Sequence, residues 1–254
     1  MIYFWSVCGA VVGSFLNVCI HRLPQSGSLA FPPSHCPACQ NRLAPFDLVP
    51  LFSYFWLGGK CRYCRAPISW RYPLVEGLAA AGFAGAFFLT GPDYPRLIFQ
   101  FVFLSVMIVV FFIDLETQLI PDSAILTAVA AGLLYHLWLG FPWPFLSSLL
   151  GLVGGYLLLF LLGWLGKLYY RKEVLGEGDP LLAAALGAGL GWVGGLLAIF
   201  LGYFMAAVVL TLLLAARRVK MGQYVPFGPA LAVGGVVALF FGPAIINWYF
   251  GFLL

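Results

Sequence analysis

Long apolar runs separated by short polar connections dominate this sequence. A helix needs about 20 apolar residues to cross the hydrocarbon core of a bilayer, and runs of that length recur along the whole chain. Hydrophobic residues make up 63% of the chain and charged residues only 9%, whereas soluble domains carry about 25% charged residues. The sequence therefore predicts an all-α polytopic membrane protein.

We expect about eight transmembrane helices. The apolar run at residues 181–216 is too long for one span, because a helix of that length would extend about 54 Å. We therefore divide this run near residues 191–195, where glycines cluster. The other expected spans are residues 1–19, 74–90, 97–113, 123–139, 145–165 and 229–250.

The basic residues indicate which side of the membrane each connection faces. If the N-terminus lies outside, the inner connections hold every Lys and Arg except Arg96, as expected because cytoplasmic loops are enriched in these residues. The net charge of +4 then reflects topology and does not indicate nucleic-acid binding. The inner connections are residues 22–73, 114–122, 166–180 and 217–228.

Residues 22–73 are the one long polar segment, and we expect a small cytoplasmic domain here. Such a domain of about 50 residues needs a metal or disulfides for stability, and cytosolic glutathione disfavours disulfides. Two C-x-x-C pairs at the spacing of a zinc ribbon predict a structural zinc ion; a redox pair and unligated thiols are the alternatives. The expected ligands are Cys36, Cys39, Cys61 and Cys64. The expected domains are the first transmembrane helix (1–21), the zinc-binding domain (22–73) and the membrane core (74–254).

Two aspartates stand where apolar runs meet polar connections. Asp114 directly ends such a run, where a free carboxylate has little structural role. Asp179 precedes a proline and could cap a helix, but Gly176 and Gly178 would let a substrate backbone approach it closely. We expect Asp122, by contrast, to be a helix N-cap. Two carboxylates that share a proton can hydrolyse a peptide bond, so Asp114 and Asp179 are our candidate catalytic pair.

Motifs along nearly the whole chain resemble the type IV prepilin peptidases. A lone GxGD motif would be weak support, but several further segments match this family in the same order. They are Gly13-Ser14-Phe15-Leu16-Asn17-Val18, His21-Arg22-Leu23-Pro24, Leu57-Gly58-Gly59-Lys60-Cys61, Arg71-Tyr72-Pro73-Leu74-Val75-Glu76, Ile113-Asp114 through Ile120-Pro121-Asp122, Gly176-Glu177-Gly178-Asp179 and Pro226-Phe227-Gly228-Pro229. The chain departs from the family at Leu181, where Lys is common, and in its short stretch between Pro24 and Cys36.

The resemblance implies a bifunctional enzyme of the bacterial cytoplasmic (inner) membrane, with its catalytic face toward the cytoplasm. Such an enzyme cleaves the basic leader of prepilins and pseudopilins, usually between Gly and Phe. It then methylates the new N-terminus with S-adenosylmethionine. The family's catalytic aspartates correspond to Asp114 and Asp179. Gly58, Gly59 and Lys60 are candidates for the methyl-donor site, with a plain turn as the alternative.

Three other functions are consistent with parts of the sequence. One is a peptidase that lacks methyltransferase activity, because the shortened cytoplasmic domain is the part that the family associates with methylation. A second is a transporter or channel that relays protons or ions through buried acids. A third is a membrane anchor whose zinc ribbon binds a partner. The sequence does not indicate an oligomeric state.

Overall fold

The fold is all-helical in the part of the chain that the structure describes. The structure is a computed structural model and describes residues 1–172, 175–219 and 225–253. Within these ranges it contains no β-strand, only two isolated bridges. Its α-helices are α1 (Ile2–Arg22), α2 (Phe52–Trp56), α3 (Arg71–Thr90), α4 (Tyr94–Thr117), α5 (Asp122–Leu139), α6 (Trp143–Tyr170), α7 (Gly178–Ala215) and α8 (Gly228–Leu253).

Seven of these helices, all but the short α2, are long and apolar enough to cross a membrane. The chain is therefore a multi-pass membrane protein, and the predicted all-α polytopic class is confirmed. The helices extend a few residues beyond the apolar runs, because polar residues such as Arg71 and Thr117 continue the helices into the connections. The predicted inner connections include residues 173–174 and 220–224, which lie outside the described residues.

Helix α7 is two antiparallel arms joined at Gly191. Gly191 has φ 72° and ψ 179°, a conformation that essentially only glycine adopts. A Cβ added to Gly195 would lie 2.6 Å from the Cα of Gly187, so the chain folds back on itself. Residues 178–190 form the first arm and residues 192–215 the second. The break lies inside the predicted range and divides the longest of the seven span-length helices of the described residues into two segments.

Two serines of α6 satisfy the backbone groups that the break exposes. The Ser148 hydroxyl donates to the Ala188 carbonyl at 2.6 Å, and the Trp192 N–H donates to the Ser147 hydroxyl at 3.1 Å. Helix ends leave unpaired N–H and C=O groups that are costly to bury. The two hydroxyls therefore stabilise the reversal at Gly191.

The first arm of α7 is the buried centre of its part of the molecule. Most of its residues are fully buried. Small residues let neighbouring helices approach: a Cβ on Gly155 of α6 would lie 2.5 Å from the Ala183 carbonyl oxygen, and one on Gly189 would lie 2.6 Å from the Phe103 ring of α4. The packing around this arm fixes the position of Asp179, near its start.

The chain divides into two compact units, residues 1–97 and 98–254. In the first unit, α1 packs on α3 through glycine, since a Cβ on Gly13 would lie 2.7 Å from the Glu76 Cα. Close packing of this kind is typical of membrane helices with small residues at the interface. The amide of Asn17 also donates to the Tyr72 carbonyl at 3.1 Å. The domain boundaries that we expect at 21/22 and 73/74 stay predictions.

Candidate functional site

Asp114 and Asp179 are brought together in the second unit. Asp114 lies in the last turn of α4 and Asp179 in the first turn of α7, and each is only 3% exposed. The two carboxylates interact electrostatically. Gly178 helps to join the two segments, because a Cβ there would stand 2.9 Å from the Ile120 Cβ in the connection after α4. Gly178 thus makes room for Ile120, and our expectation that it admits a substrate backbone stays a prediction.

The Asp179 carboxylate is held by the loop that precedes it. Its Oδ2 atom accepts a hydrogen bond of 3.0 Å from the Gly176 N–H. Helix α7 begins at Gly178, after Glu177, so Asp179 reaches back toward the loop and is not the helix N-cap. The alternative explanation of Asp179 as a cap therefore does not describe its contacts.

The Asp114 carboxylate is only partly satisfied. The backbone N–H of Gly228, the first residue of α8, donates to it. Its Oδ2 atom is buried and has no hydrogen-bond partner among the described residues. Burying an unpaired carboxylate oxygen is costly, so this atom is the natural place for a shared proton or a bound water molecule. Oδ2 of Asp114 is therefore the oxygen of the pair that lacks a partner among the described residues.

Other acids near these segments are not part of the pair. Asp122 is exposed and is the first residue of α5, one position after the N-cap Pro121. Asp122 therefore does not occupy the N-cap position that we expected for it, although a negative charge still stabilises a helix N-terminus. Glu177 is also exposed. Both side chains provide matched controls for the buried pair.

Sequence reasoning missed Tyr203 as a neighbour of the pair. Tyr203 lies in the second arm of α7 and interacts electrostatically with Asp179. Its ring centroid is 4.6 Å from that of Phe227, which directly precedes Gly228. The only sequence signal is a tyrosine within an apolar run.

The four predicted zinc ligands form one cluster. The sulfur atoms of Cys36, Cys39, Cys61 and Cys64 all lie within 4.8 Å of one another, and those of Cys36 and Cys64 are 3.8 Å apart. Four thiolates placed tetrahedrally about 2.3 Å from a zinc ion would be about 3.8 Å apart. The cluster could therefore hold a metal ion, and its donor set fits zinc.

The backbone builds the two halves of the cluster alike. The N–H of Gln40 donates to the Cys36 carbonyl at 2.8 Å, and that of Arg65 donates to the Cys61 carbonyl at 3.0 Å. Gln40 and Arg65 both have positive φ, 60° and 62°. Two equivalent tight turns thus place the thiols without a contribution from a large core.

Electrostatics within the cluster favour a bound cation. The backbone N–H groups of Cys64 and Tyr63 lower the pKa of Cys61 to about 7. At Cys64 the Ala66 N–H lowers the pKa, but burial and the thiols of Cys39, Cys61 and Cys36 outweigh it and raise the pKa to about 11. The Cys64 thiol resists ionisation because the three other sulfur atoms lie close to it. A cation among the four sulfur atoms would remove this resistance.

The candidate methyl-donor residues form a turn. The N–H groups of Gly58, Gly59 and Lys60 donate to the carbonyls of Phe55, Tyr54 and Leu57 at 3.1, 2.9 and 3.3 Å. Both glycines have positive φ, so the turn itself explains their presence. The Lys60 side chain is exposed, and a Cβ on Gly58 would meet nothing within 4 Å. A ligand could therefore bind only at the Lys60 ammonium and in the open space beside Gly58.

Comparison with known proteins places these features in a family. The profile of the bacterial Peptidase A24 N-terminal domain matches residues 7–90, and that of the type IV leader peptidase family matches residues 101–211. A prepilin leader peptidase/N-methyltransferase of Aeromonas hydrophila is 36% identical, covering 94% of this chain and 90% of the relative. Proteins with the same name from Burkholderia pseudomallei (strain 1026b) and Stutzerimonas stutzeri are 38% and 37% identical, over 94% and 97% of this chain and 85% and 92% of each relative. No solved structure matches the chain.

Proposed function

The chain belongs to the type IV leader peptidase family, and we propose that it removes the basic leader from type IV prepilins and pseudopilins. Asp114 and Asp179 are the catalytic pair in this proposal. The observation that supports it most strongly is the meeting of these two buried carboxylates, one of which has an oxygen atom without a partner among the described residues.

Paired carboxylates hydrolyse a peptide bond by sharing one proton. The ionised carboxylate takes a proton from water as the water oxygen attacks the carbonyl carbon. The protonated carboxyl donates to the carbonyl oxygen, giving a neutral tetrahedral diol. Collapse of the diol returns a proton to the leaving nitrogen, so that an acid and an amine are released and the pair regains one proton.

The topology suits a substrate with a basic leader and an apolar helix. Asp114 and Asp179 lie where α4 ends and α7 begins. The connections on the same side of the predicted topology contain Lys167, Arg171 and Arg218, which by the positive-inside rule face the cytoplasm. A prepilin whose leader stays in the cytoplasm would present its Gly–Phe bond at this boundary. We therefore place the catalytic face at the cytoplasmic side of the bacterial inner membrane.

We further propose that the enzyme methylates the new N-terminal amine, as the names of its relatives state for them. S-adenosylmethionine would supply the methyl group. Lys60 is exposed beside an open turn, and its ammonium suits the carboxylate of this methyl donor. A structural zinc ion on the four cysteines would hold the cytoplasmic domain together, with no ligand position left for chemistry.

The proposal is tested by incubating the purified, detergent-solubilised protein with a prepilin and S-adenosylmethionine. Mass spectrometry of the product reports both the cut position and an added methyl group. We expect cleavage between Gly and Phe by the wild type and by Asp122→Asn. Asp114→Asn and Asp179→Asn should leave the prepilin intact.

Each result bears on a separate part of the proposal. Normal cleavage by Asp114→Asn or Asp179→Asn would reject the catalytic pair. If correctly folded wild type leaves the prepilin intact, the proposed peptidase activity is rejected. A cleaved product that never gains a methyl group, even with excess donor, would show a peptidase without methyltransferase activity.

A further inference from the structure

Helix α2 presents an aromatic face that no other part of the described chain covers. Phe52, Phe55 and Trp56 are 61%, 63% and 74% exposed, whereas Ser53 and Leu57 are partly buried. The three aromatic residues are spaced three and four apart, so they share one side of the helix. The rings of Phe52 and Trp56 stack with their centroids 5.7 Å apart. A contiguous exposed apolar surface of this kind marks a contact with a partner or a membrane.

Two contacts hold α2 beside the start of the membrane helix α3. Leu51, the residue before α2, donates its N–H to Oε2 of Glu76 at 2.7 Å. Glu76 is the sixth residue of α3, which places it about 7.5 Å along that helix. The ring of Tyr54 packs on Trp70, the residue before α3, with centroids 5.3 Å apart. Helix α2 therefore lies level with the first two turns of α3.

The packing of α1 on α3 gives the same level from the other helix. A Cβ on Gly13 would lie 2.7 Å from the Glu76 Cα, so these two residues are at one height. Gly13 lies nine residues before Arg22, the last residue of α1, or about 13.5 Å further into the membrane. Basic side chains at the end of a span mark the level of the lipid headgroups. Leu51, which binds the Glu76 carboxylate, thus lies at or below the headgroup level.

The aromatic face continues into the lipid-facing side of α3. Trp70, Leu74 and Leu78 recur every four residues and are 69%, 52% and 45% exposed, so they form one stripe along a helix that can cross the membrane. Trp70 contacts Tyr54, and Tyr54 in turn meets Phe55 edge-to-face at 5.7 Å. Tryptophan and tyrosine concentrate where hydrocarbon meets headgroups, because their rings are apolar and their N–H or O–H groups are polar.

The charge beside the aromatic face suits anionic headgroups. Arg62 lines a cleft of about 250 Å³ together with Phe52 and Trp56. It forms an ion pair of 2.7 Å with Asp47, the one acid in residues 22–73. Arg65 and further basic residues of this segment are exposed, so the segment carries a net positive charge. Basic residues next to a membrane are attracted to anionic lipids.

We propose that the aromatic face of α2 inserts into the boundary between headgroups and acyl chains of the bilayer that α1 and α3 cross. Phe52, Phe55 and Trp56 would then hold the cysteine cluster close to the membrane surface. The occupant of the face is the anionic phospholipid bilayer, because the depth of α2, its continuity with the stripe on α3 and its basic surroundings all match that surface. This inference does not depend on the peptidase activity.

The test is photochemical labelling of the full chain in vesicles of phosphatidylethanolamine and phosphatidylglycerol. A phosphatidylcholine with a diazirine on its acyl chain near the glycerol is the probe, and mass spectrometry locates the labelled residues. We expect residues 52–56 to be labelled as strongly as residues 74–78 of α3. Residues 28–33 are the matched control. They contain Phe31, which is 76% exposed, but the Arg22 guanidinium at the end of α1 holds them through two carbonyl groups, so they should stay at background.

Variants test whether the aromatic side chains cause the insertion. Changing both Phe55→Ser and Trp56→Ser should lower labelling of residues 52–56 by about tenfold, because these side chains supply most of the buried apolar area. Labelling of residues 74–78 should stay the same, which shows that α3 is still inserted. Phe31→Ser removes an exposed aromatic side chain elsewhere in the segment and should change nothing. Replacing phosphatidylglycerol with phosphatidylcholine should weaken labelling of residues 52–56 only.

Several results would overturn the proposal. Background labelling of residues 52–56 in wild type, with residues 74–78 labelled, would leave the face free for a protein partner. Equal labelling of residues 28–33 and 52–56 would contradict the depth of α2. Unchanged labelling in the double variant would show that the aromatic face is not what inserts, and unchanged labelling without phosphatidylglycerol would contradict the attraction to anionic lipid. If the double variant fails to insert, Phe55→Ser alone makes the same comparison, with a smaller expected loss.

Discussion

Gly228 lies directly against the Asp114 carboxylate: a Cβ added to this glycine would stand 2.6 Å from Oδ2. Real Cβ contacts do not come this close, so one of the two segments would have to move. The same residue donates its backbone N–H to the carboxylate. Gly228 therefore limits where the Asp114 carboxylate can lie and also supplies its backbone hydrogen bond.

The first prediction is that Gly228→Ala lowers prepilin cleavage by about 10²-fold, the usual effect of displacing a catalytic group by about 1 Å. The fall should appear mainly in kcat, because the substrate surface is unchanged. Gly85→Ala is the control, since a Cβ there would meet nothing within 4 Å. Wild-type kcat in Gly228→Ala would show that Asp114 does not need this close approach.

A second prediction concerns the reversal of α7. Gly191→Ala should destabilise the protein by about 1–3 kcal/mol, because φ 72° with ψ 179° strains any residue with a side chain. The midpoint of thermal unfolding in detergent should fall relative to wild type and to Gly85→Ala. An unchanged midpoint would mean that the chain can reverse here without glycine.

A third prediction concerns the cysteine cluster. Wild type should contain one zinc ion per chain, and Cys36→Ser should lose most of it because a ligand is removed. Cys8→Ser is the matched control, since Cys8 lies in α1 and is not a member of the cluster. Zinc should also be released as the pH falls, because the thiols must be deprotonated to bind. Metal analysis that finds no zinc in freshly purified wild type would contradict this.

A fourth prediction concerns Glu76, a buried acid of α3. Its Oε2 atom accepts a 2.7 Å hydrogen bond from the Leu51 N–H, and Leu51 has the positive φ of 61°. Glu76→Ala should leave this N–H unpaired and cost about 1–3 kcal/mol, with faster hydrogen exchange over residues 51–56. Glu76→Gln keeps an acceptor oxygen and should restore most of the protection. Equal hydrogen exchange over residues 51–56 in wild type, Glu76→Ala and Glu76→Gln would exclude Glu76 as the anchor of this segment.

The apolar runs were sufficient to predict the membrane helices, because span length depends only on local hydrophobicity. The break at Gly191 was also predictable, since a helix of that length exceeds the bilayer. The contacts around the break were not: Ser147 and Ser148 cap it from another helix. Gly178 likewise packs on Ile120, a contact that its place in the GxGD motif does not indicate. Contacts between segments far apart in sequence decide such roles, and one sequence does not show them.

The site was predictable to a similar degree. Asp114 and Asp179 stood out because carboxylates are costly beside apolar runs, and the cysteine pairs stood out by their spacing. Tyr203 had no such signal, because a tyrosine in a membrane helix is common. Its relationship to Asp179 follows only from the antiparallel register of the two arms of α7.

The most direct test of the central claim is a comparison of kcat/KM for prepilin cleavage by Asp114→Asn, Asp179→Asn and the double variant. If the two carboxylates act as one unit, each single change should lower kcat/KM by at least about 10³-fold, and the double variant should be no worse than either single variant. Substantial activity in one single variant, or losses that multiply in the double variant, would show that Asp114 and Asp179 do not work as a pair.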